Sequence, residues 1–316
     1  MSVLVSAVVP VFNEKGSLEA FEKELSASLA ALRRPYEIIW VDDGSTDGSF
    51  QLLRGFSGRP RQRALRLAKN YGQTAAMAAG IAEARGEWIV TLDADGQNDP
   101  DDIQRLLAAA AGGADVVSGW RRRRNDPFLT RVLPSRAANA VISAVTGLKL
   151  HDFGCTLKVY RAALLKEADL YGEMHRFLPA ILAYAGASVS ELEVNHRPRG
   201  AGRSKYGLAR TFKVLLDLLT VKFMGDFITK PIYLFGGISM ALLASSALMA
   251  AYTLYNKFWN AIYVKDQPLF LLSIFFALVG VQFAVLGLIA EVLIRTYHSS
   301  SRKPPYAVAE KAGEAC

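Results

Sequence analysis

Two aspartates separated by one residue, Asp93 and Asp95, follow the apolar run Trp88–Leu92. Carboxylates at positions i and i+2 at a strand end can hold one hard divalent ion between the protein and a diphosphate. Such an ion would stabilise the charge that builds up on a leaving nucleotide diphosphate. A solvated turn or a helix cap has the same composition and is the more common setting, so this pair alone does not decide the function.

Two further polar clusters follow apolar runs earlier in the chain. Asn13 and Glu14 come directly after the first run, and Asp42 and Asp43 open the sequence Asp-Asp-Gly-Ser-Thr-Asp after the second. The second cluster is also typical of a turn followed by a helix N-cap. Each cluster is therefore ambiguous alone, and its meaning depends on where the fold places it.

The first 120 residues alternate apolar runs with helical patterns, which predicts a parallel α/β sheet covered on both faces. In such sheets ligands bind beyond the carboxyl ends of the strands, where the three polar clusters fall. The predicted strands are Val3–Pro10, Glu37–Val41, Glu87–Leu92 and Asp115–Ser118, and the predicted helices are Ser17–Leu32, Gln73–Ala84 and Pro100–Ala111.

Several common site types are excluded by missing motifs. No Gly-x-Gly-x-x-Gly follows the first strand, which argues against a dinucleotide-binding site, and no Gly-x-x-x-x-Gly-Lys-Ser/Thr occurs, which excludes a P-loop. The two cysteines, Cys155 and Cys316, form neither a disulfide framework nor a metal-ligand cluster. The apolar run Val3–Phe12 has no basic leader or cleavage site, so we expect a strand there and not a signal peptide.

The chain of 316 residues is 51% hydrophobic and still carries a formal net charge of +8. Residues 119–136 hold six arginines against one acidic residue, and residues 196–230 hold eight basic residues against two acidic ones. Nucleic acid, an anionic membrane surface and a phosphate-rich small-molecule site all attract such segments. No helix-turn-helix, zinc or RNA-binding signature is present, so we expect no nucleic-acid partner.

The apolar excess lies near the C-terminus. Ile232–Tyr255 is 24 residues without a charge and Pro268–Ala290 is 23 more, each long enough to cross a bilayer. Basic residues flank the pair on its outer sides, so the positive-inside rule predicts that both ends of the chain lie in the cytoplasm. A buried hairpin in a soluble domain is the less favoured alternative.

Three motifs appear in order on three strand ends, and their combination resembles the family-2 glycosyltransferases. The resemblance implies a GT-A fold, a Rossmann-like and mostly parallel sheet, and a nucleotide-sugar donor. Further segments are similar to polyprenyl-phosphate glycosyltransferases, especially the undecaprenyl-phosphate aminoarabinose-type group. The segments are Val9–Glu14, Val41–Asp47 and Leu92–Asp95, and then Lys69–Gln73, Asp95–Pro100 and Asp152–Lys158.

The resemblance implies roles for residues at the donor site. It places the nucleoside at Asp42 or Asp43, with Asp43 preferred, and assigns Mg²⁺ or Mn²⁺ with the diphosphate to Asp95 and Gln97. Asp93 would face the ribose or the donor sugar and complete the metal site. Gly96 departs from the family, which often has Leu or Thr there. The pocket would be shaped by Pro10, Phe12 and Glu14, and the diphosphate held by Arg203 and Lys205 in a closing loop, His196–Tyr206.

The acceptor implied by the resemblance is a lipid monophosphate, which gives the basic segments a chemical reason. Guanidinium groups pair with phosphate in a bidentate way and stay charged. The acceptor-phosphate candidates are Arg121, Arg131, Ser135 and Arg136. Asp152 would orient the acceptor or act as a base, with a structural turn as an equal alternative.

The expected protein is thus a membrane-bound, inverting glycosyltransferase of the cytoplasmic (inner) membrane. It would move a sugar, UDP-linked by preference, to polyprenyl (undecaprenyl) phosphate, and the resemblance implies a homo-oligomer, a tetramer. A GDP-mannose-dependent mannose synthase, a polysaccharide synthase and a non-enzymatic scaffold are the alternatives. The expected organisation is a GT-A domain at 1–206, amphipathic interfacial helices at 207–231, membrane helices at 232–255 and 268–291 joined by a loop at 256–267, and a cytoplasmic tail at 292–316.

Overall fold

The computed structural model describes residues 4–122, 133–168, 170, 174–197, 218, 222, 231–299 and 306–313. The chain divides into two compact units. One comprises Met1–Val221 together with Pro304–Cys316, and the other comprises Lys222–Lys303.

The first unit is built on one eight-stranded sheet. Its strands are β1 (Val5–Val11), β2 (Tyr36–Asp42), β3 (Gln62–Leu67), β4 (Trp88–Thr91), β5 (Val116–Trp120), β6 (Lys158–Arg161), β7 (Val189–Glu193) and β8 (Val308–Ala312), in the order β7-β5-β6-β4-β1-β2-β3-β8. The neighbouring pairs β1–β2, β1–β4, β2–β3 and β5–β7 are parallel. Strands β6 and β8 pair antiparallel with their neighbours. The prediction of a mostly parallel sheet is confirmed.

Helices cover both faces of this sheet. They are α1 (Lys15–Ala31), α2 (Ser49–Phe56), α3 (Gln73–Glu83), α4 (Asp102–Ala111), α5 (Leu133–Thr146), α6 (Ala162–Leu165) and α7 (Leu178–Tyr184), with a 3₁₀ turn at Met174–Arg176. Apolar side chains of α1, α2 and α4 share one core with the sheet. Those of α3, α6 and α7 share a second core on the opposite face. The central strands are therefore buried on both sides, which is why they are continuous apolar runs.

Four strands were not predicted from the sequence. β3 carries Arg63 and Arg66 among its apolar residues, and β8 carries Glu310 and Lys311, so neither is a continuous apolar run. β8 follows the long C-terminal helices and returns to pair with β3, where the Ala68 N–H donates to the Ala307 carbonyl at 2.9 Å. Part of the expected C-terminal tail is thus an edge strand of the sheet.

The second unit contains two long helices, α8 (Pro231–Trp259) and α9 (Pro268–Ser299), joined by a short segment with a 3₁₀ turn at Val264–Asp266. Within them Leu234–Trp259 and Pro268–Ala290 are long and apolar enough to cross a bilayer. The helices pack closely, because a Cβ on Gly280 would lie 2.9 Å from Leu243 Cγ. The Ser246 hydroxyl also donates to the Ser273 carbonyl across the pair at 2.7 Å.

Helix α3 approaches the sheet so closely that one position accepts only glycine. A Cβ on Gly80 would lie 2.4 Å from Val8 Cγ1 and 3.1 Å from Val41 Cγ2. We expect Gly80→Ala to lower the free energy of unfolding by about 1–3 kcal/mol through overpacking. Urea unfolding followed by tryptophan fluorescence measures the change.

Gly55 of α2 provides the matched control, because nothing lies within 4 Å of a Cβ placed there. Gly55→Ala is expected to raise the free energy of unfolding by about 0.5–1 kcal/mol, since alanine loses less backbone entropy in a helix. Equal effects at the two positions would contradict the close contact between α3 and the sheet.

Candidate active site

The polar clusters predicted from the sequence lie at one edge of the sheet. β1, β2 and β4 are parallel, so the turns that follow Val11, Asp42 and Thr91 leave the sheet on the same side. β6 runs in the opposite direction and begins at this edge, where Lys158 pairs with Thr91 of β4 and with Ser118 of β5. The edge therefore collects residues from both the N-terminal half and the middle of the chain.

The turn after β2 is locked to the loop after β3. The Asp43 carboxylate accepts hydrogen bonds from the backbone N–H groups of Tyr71 at 2.8 Å and Gly72 at 2.9 Å. Gly44 has a φ of +72°, and a Cβ there would lie 2.6 Å from the Lys69 carbonyl carbon. Only glycine fits this approach, which brings the turn after β2 against the loop whose backbone holds Asp43.

Asp42 lies beside Asp43 and is completely buried. Its carboxylate accepts the Ser45 N–H at 3.3 Å and lies 3.6 Å from Arg66 Nε. Burial raises the pKa of Asp42 and of Asp43 above the usual value, although the hydrogen bonds to both carboxylates oppose this.

The turn after β1 is tied to the same region. Asn13 adopts a left-handed φ of 53°, which asparagine tolerates better than most residues. Its N–H donates to Ser45 Oγ at 2.9 Å, and its side-chain oxygen accepts the Thr46 N–H at 2.9 Å. The predicted pocket residues Phe12 and Glu14 are half-buried on this turn, and Pro10 is half-buried near the end of β1. The two turns thus form one rigid wall.

The turn after β4 presents Asp93, Asp95 and Gln97. Asp93 accepts a hydrogen bond from the Gln73 side-chain amide at 2.7 Å, and Asp95 accepts one from the Gln97 N–H at 3.1 Å. Gly96, the departure from the family pattern, has a φ of +73° with nothing within 4 Å of a Cβ position. Glycine therefore suits this turn because of its backbone conformation.

The turn after β4 offers few side chains that could bind a metal ion. Among the described residues no group of three His, Cys, Asp or Glu side chains is placed to hold a metal ion. Asp93 and Asp95 supply two carboxylates, and Gln97 is half-buried beside them. Divalent ions that bind nucleotide phosphates commonly use one or two carboxylates, with phosphate and water oxygens completing the shell. The donor set suits an ion that arrives with a diphosphate.

A buried ion pair joins the next two elements. Arg121, directly after β5, donates to both Asp152 carboxylate oxygens, from Nε at 2.7 Å and from Nη2 at 3.0 Å. Their side chains are 14% and 4% exposed. Burial alone would lower the pKa of Arg121, but the nearby Asp152 carboxylate raises it by more. Arg121 therefore stays charged. A Cβ on Gly154 would lie 3.3 Å from Arg121 Nη2, so glycine leaves room for the guanidinium group.

Two acceptor-phosphate candidates lie at the start of α5. Ser135 is half-buried and Arg136 is exposed. One turn later, the Asn139 side chain donates to the His151 carbonyl at 2.8 Å and accepts the Phe153 N–H at 3.4 Å. Helix α5 is therefore attached to the loop that carries Asp152.

Other predicted residues lie outside the described ranges. They are Arg131, Arg203 and Lys205, together with most of the predicted closing loop and interfacial helices. Cys155 is fully buried, and burial raises its pKa to about 11, which makes the thiol unreactive at neutral pH.

Some residues of the edge were not singled out from the sequence as site residues. Asn13, Gln73 and Lys158 occur inside quoted motifs, but nothing in their spacing indicated what they contact. The asparagine before an acidic residue was the clearest signal, because asparagine is frequent at left-handed turn positions.

The chain is similar in sequence to one family of known proteins. The model of "Glycosyl transferase family 2" matches residues 6–168. The chain is 40% identical over 312 residues, 97% of its length, to a dodecaprenyl-phosphate galacturonate synthase of Rhizobium johnstonii, of which it covers 92%. This chain belongs to glycosyl transferase family 2.

A second relative agrees with the family assignment, and one solved structure has a similar fold. The chain is 34% identical over 304 residues, 96% of its length, to an undecaprenyl-phosphate 4-deoxy-4-formamido-L-arabinose transferase of Edwardsiella ictaluri, of which it covers 92%. Glucosyl-3-phosphoglycerate synthase of Mycobacterium tuberculosis, solved with Mn²⁺, UDP and phosphoglyceric acid, is 17% identical with a TM-score of 0.54. That match covers 71% of this chain and 78% of the neighbour. The chain has a GT-A-like fold, as the family resemblance implied.

We expect the protein to lose stability when one partner of the Arg121–Asp152 ion pair is removed. Arg121→Met leaves a buried carboxylate without its counter-charge, so we expect the free energy of unfolding to fall by about 3 kcal/mol. Adding Asp152→Asn should cost less than the sum of the two single changes, with a coupling of about 1 kcal/mol or more. Urea unfolding of the unchanged protein, the two single variants and the double variant measures this coupling as a double-mutant cycle.

Arg122 is the matched control, because its 3.3 Å contact with Glu193 joins side chains that are 62% and 43% exposed. Arg122→Met should change the free energy of unfolding by about 0.5 kcal/mol or less. A loss at Arg122 equal to that at Arg121 would contradict a special role for the buried pair.

Proposed function

We propose that this chain is a membrane-bound, inverting glycosyltransferase that moves a sugar from a nucleotide-sugar donor to polyprenyl phosphate. The observation that carries the proposal is the single sheet edge where the three acidic turns and the Arg121–Asp152 pair meet. The similarity to two named polyprenyl-phosphate transferases over almost the whole chain supports it. Their names give two different sugars, galacturonate, which carries a carboxylate, and a formamido-arabinose, which carries none.

The donor would lie along the edge in the order of the strands. The nucleoside, uridine by preference, contacts the wall formed by the turns after β1 and β2, with Asp43 and its neighbour Asp42 as the acidic groups. The diphosphate then lies over the turn after β4. Because Asp43 is fixed by two backbone N–H groups, its geometry is set before the donor arrives, which lowers the entropic cost of binding.

The proposed cofactor is Mg²⁺ or Mn²⁺. Asp95, Asp93 and Gln97 would hold it together with the diphosphate, and when bound it supplies positive charge that stabilises the departing nucleoside diphosphate. Gln73 keeps the Asp93 carboxylate oriented through the 2.7 Å hydrogen bond. Asp95 in turn is fixed by the Gln97 N–H.

The acceptor would enter from the β5 and α5 side of the edge. An oxygen of the lipid phosphate forms a bond to the anomeric carbon of the sugar while the bond from that carbon to the diphosphate oxygen breaks. A phosphate monoester is already largely ionised at pH 7, so the nucleophile needs little help from a base. Asp152, paired with Arg121, therefore acts through positioning, and Arg121 and Arg136 provide positive charge for the incoming phosphate.

We infer that the second unit anchors the enzyme in the inner membrane, with the catalytic unit and both chain ends in the cytoplasm. Its two helices are long and apolar enough to span a bilayer. Strand β8 follows them and belongs to the same sheet as β1–β7, which requires an even number of crossings. The tetramer implied by the family resemblance is part of this proposal.

If Asp95 binds the metal ion, replacing its carboxylate should slow the reaction. Asp95→Asn should lower the turnover of UDP-sugar and undecaprenyl phosphate at least about 100-fold, because the loss of several kcal/mol of charge stabilisation slows the chemical step. The measurement is transfer of labelled sugar into lipid by the full-length protein with Mn²⁺ present.

Asp101 serves as the control carboxylate, since it is exposed and accepts a hydrogen bond from Ser28. Asp101→Asn should keep normal turnover. Retained activity in Asp95→Asn would remove the metal assignment, whereas no glycolipid from any nucleotide sugar, with folded protein, would overturn the proposed reaction.

The proposed orientation can be measured with the two native cysteines. Cys155 is buried with a pKa raised by burial to about 11, so Cys316 is expected to be the thiol that reacts. A membrane-impermeant maleimide should label Cys316 in inverted inner-membrane vesicles and not in intact spheroplasts.

The reverse pattern is expected for a cysteine placed between the two helices. Trp259 is exposed at the end of α8, so Trp259→Cys in a Cys316→Ser background should be labelled in spheroplasts. Labelling of both sites from the same side would contradict two membrane crossings.

A further inference from the structure

The Asp152 carboxylate, which pairs with Arg121, lies in a stretch of chain that has no helix or strand. Residues 147–157 connect α5 to β6, and Asp152 is a buried side chain in the middle of them. Backbone N–H and C=O groups in such a loop need partners from elsewhere, because no regular secondary structure supplies them. The groups that hold the backbone at Asp152 therefore help to fix where the Arg121 guanidinium group lies.

Glu191 of β7 holds this backbone with its carboxylate. Its Oε1 accepts the N–H groups of His151 at 2.9 Å and of Asp152 at 3.0 Å, and its Oε2 lies 2.7 Å from His151 Nδ1. The Glu191 side chain is 11% exposed. Hydrogen bonds to an ionised carboxylate are about twice as strong as neutral ones. Two consecutive N–H groups on one sheltered carboxylate therefore attach the loop firmly to β7.

Side chains from two further elements complete the hold on the loop. Asn139 of α5 accepts the Phe153 N–H at 3.4 Å, and Lys158 at the start of β6 donates to the Phe153 carbonyl at 3.0 Å. The Asp152 carboxylate accepts the N–H two residues further along the chain, also at 3.0 Å. The N–H groups of residues 151–154 thus each have a side-chain acceptor. The loop is preorganised, so little ordering is needed when a substrate binds.

The loop joins the two sides of the proposed acceptor site. On one side Asp152 accepts two N–H groups of Arg121, which follows β5, and β5 pairs in parallel with the strand that carries Glu191. On the other side Asn139 lies three residues after Arg136 in α5. The position of a phosphate between these groups matters for the reaction, because a misplacement of about 1 Å can cost about 100-fold in rate.

On the basis of the proposed function, we propose that Glu191 is a positioning residue for the acceptor phosphate. Its carboxylate fixes the Asp152 backbone against β7, and Asp152 in turn holds Arg121 in the bidentate geometry. A guanidinium group has five N–H donors, and this pair uses two of them, so three remain for a phosphate. Without the Glu191 carboxylate the two loop N–H groups lose their acceptor, and Asp152 can shift together with Arg121. Glu191 acts through these two residues and not by contact with a substrate.

The test separates the acceptor from the donor. Glu191→Ala is assayed as full-length protein in nanodiscs with undecaprenyl phosphate, Mn²⁺ and the most active of UDP-galacturonate, UDP-glucose and GDP-mannose. We expect kcat/KM for undecaprenyl phosphate to fall by about 10- to 100-fold, because Arg121 no longer meets the phosphate in a fixed geometry. The affinity for UDP with Mn²⁺, measured by calorimetry, should stay the same, since the hydrogen bonds that hold the turns after β1, β2 and β4 do not involve Glu191.

Two matched variants in β7 sharpen the comparison. Glu191→Gln keeps a side-chain oxygen for the two loop N–H groups, so it should keep most of the kcat/KM for undecaprenyl phosphate. Glu193→Ala removes a carboxylate from the same face of the same strand, where it contacts the exposed Arg122. This second variant should leave kcat/KM for undecaprenyl phosphate unchanged.

The contrary results are distinct. Equal losses of kcat/KM for undecaprenyl phosphate and of UDP affinity in Glu191→Ala would show that Glu191 only stabilises the fold, and a normal kcat/KM would also overturn its positioning role. If Glu191→Ala does not fold, Glu191→Asp replaces it, because its side chain is one methylene shorter and withdraws the carboxylate from the loop. The same loss is then expected, with the same contrary results. Failure of the unchanged protein to form glycolipid from any donor instead overturns the proposed function.

Discussion

Parallel pairing of β1 with β2 and β4 forces several carboxylates to one edge of the sheet, and the site depends on how their repulsion is offset. Backbone N–H groups hold most of them, as at Asp43 and Asp95, and Arg121 holds Asp152. Hydrogen bonds to an ionised carboxylate are stronger than neutral ones and leave lone pairs free. The acidic edge is therefore rigid before any ligand binds, and cations or positively charged partners can approach it without rearrangement of the turns.

The parts of the fold with strong periodicity were predictable from the sequence. β1, β2, β4 and helices α1, α3 and α4 were placed within a few residues, because continuous apolar runs and turn residues marked their ends. β3 and β8 carry charged residues and lack such runs, and β6 is short. Their pairing is decided by tertiary contacts, which local patterns do not record.

The candidate site also has parts that were predictable from the sequence and parts that were not. Acidic turns after strands could be read from residue type and position, since parallel sheets bind ligands at that edge. The small cavity that Thr91 lines together with Lys158, His175 and Arg176 could not be predicted, because its residues come from two strands and a 3₁₀ turn that are far apart in the sequence. Arg121 was predicted to bind phosphate, and its engagement with Asp152 depends on a contact between residues 31 positions apart.

Strand β8 has a consequence for how the protein is made. It leaves the ribosome after both long helices, yet it completes the edge of a sheet whose other strands precede them. Until then β3 presents an open edge, which is a template for unwanted pairing with other chains. Completion of the sheet therefore waits until both long helices have been synthesised. In the proposed membrane-bound enzyme, this order means that the last strand joins the sheet only after the membrane anchor has been made.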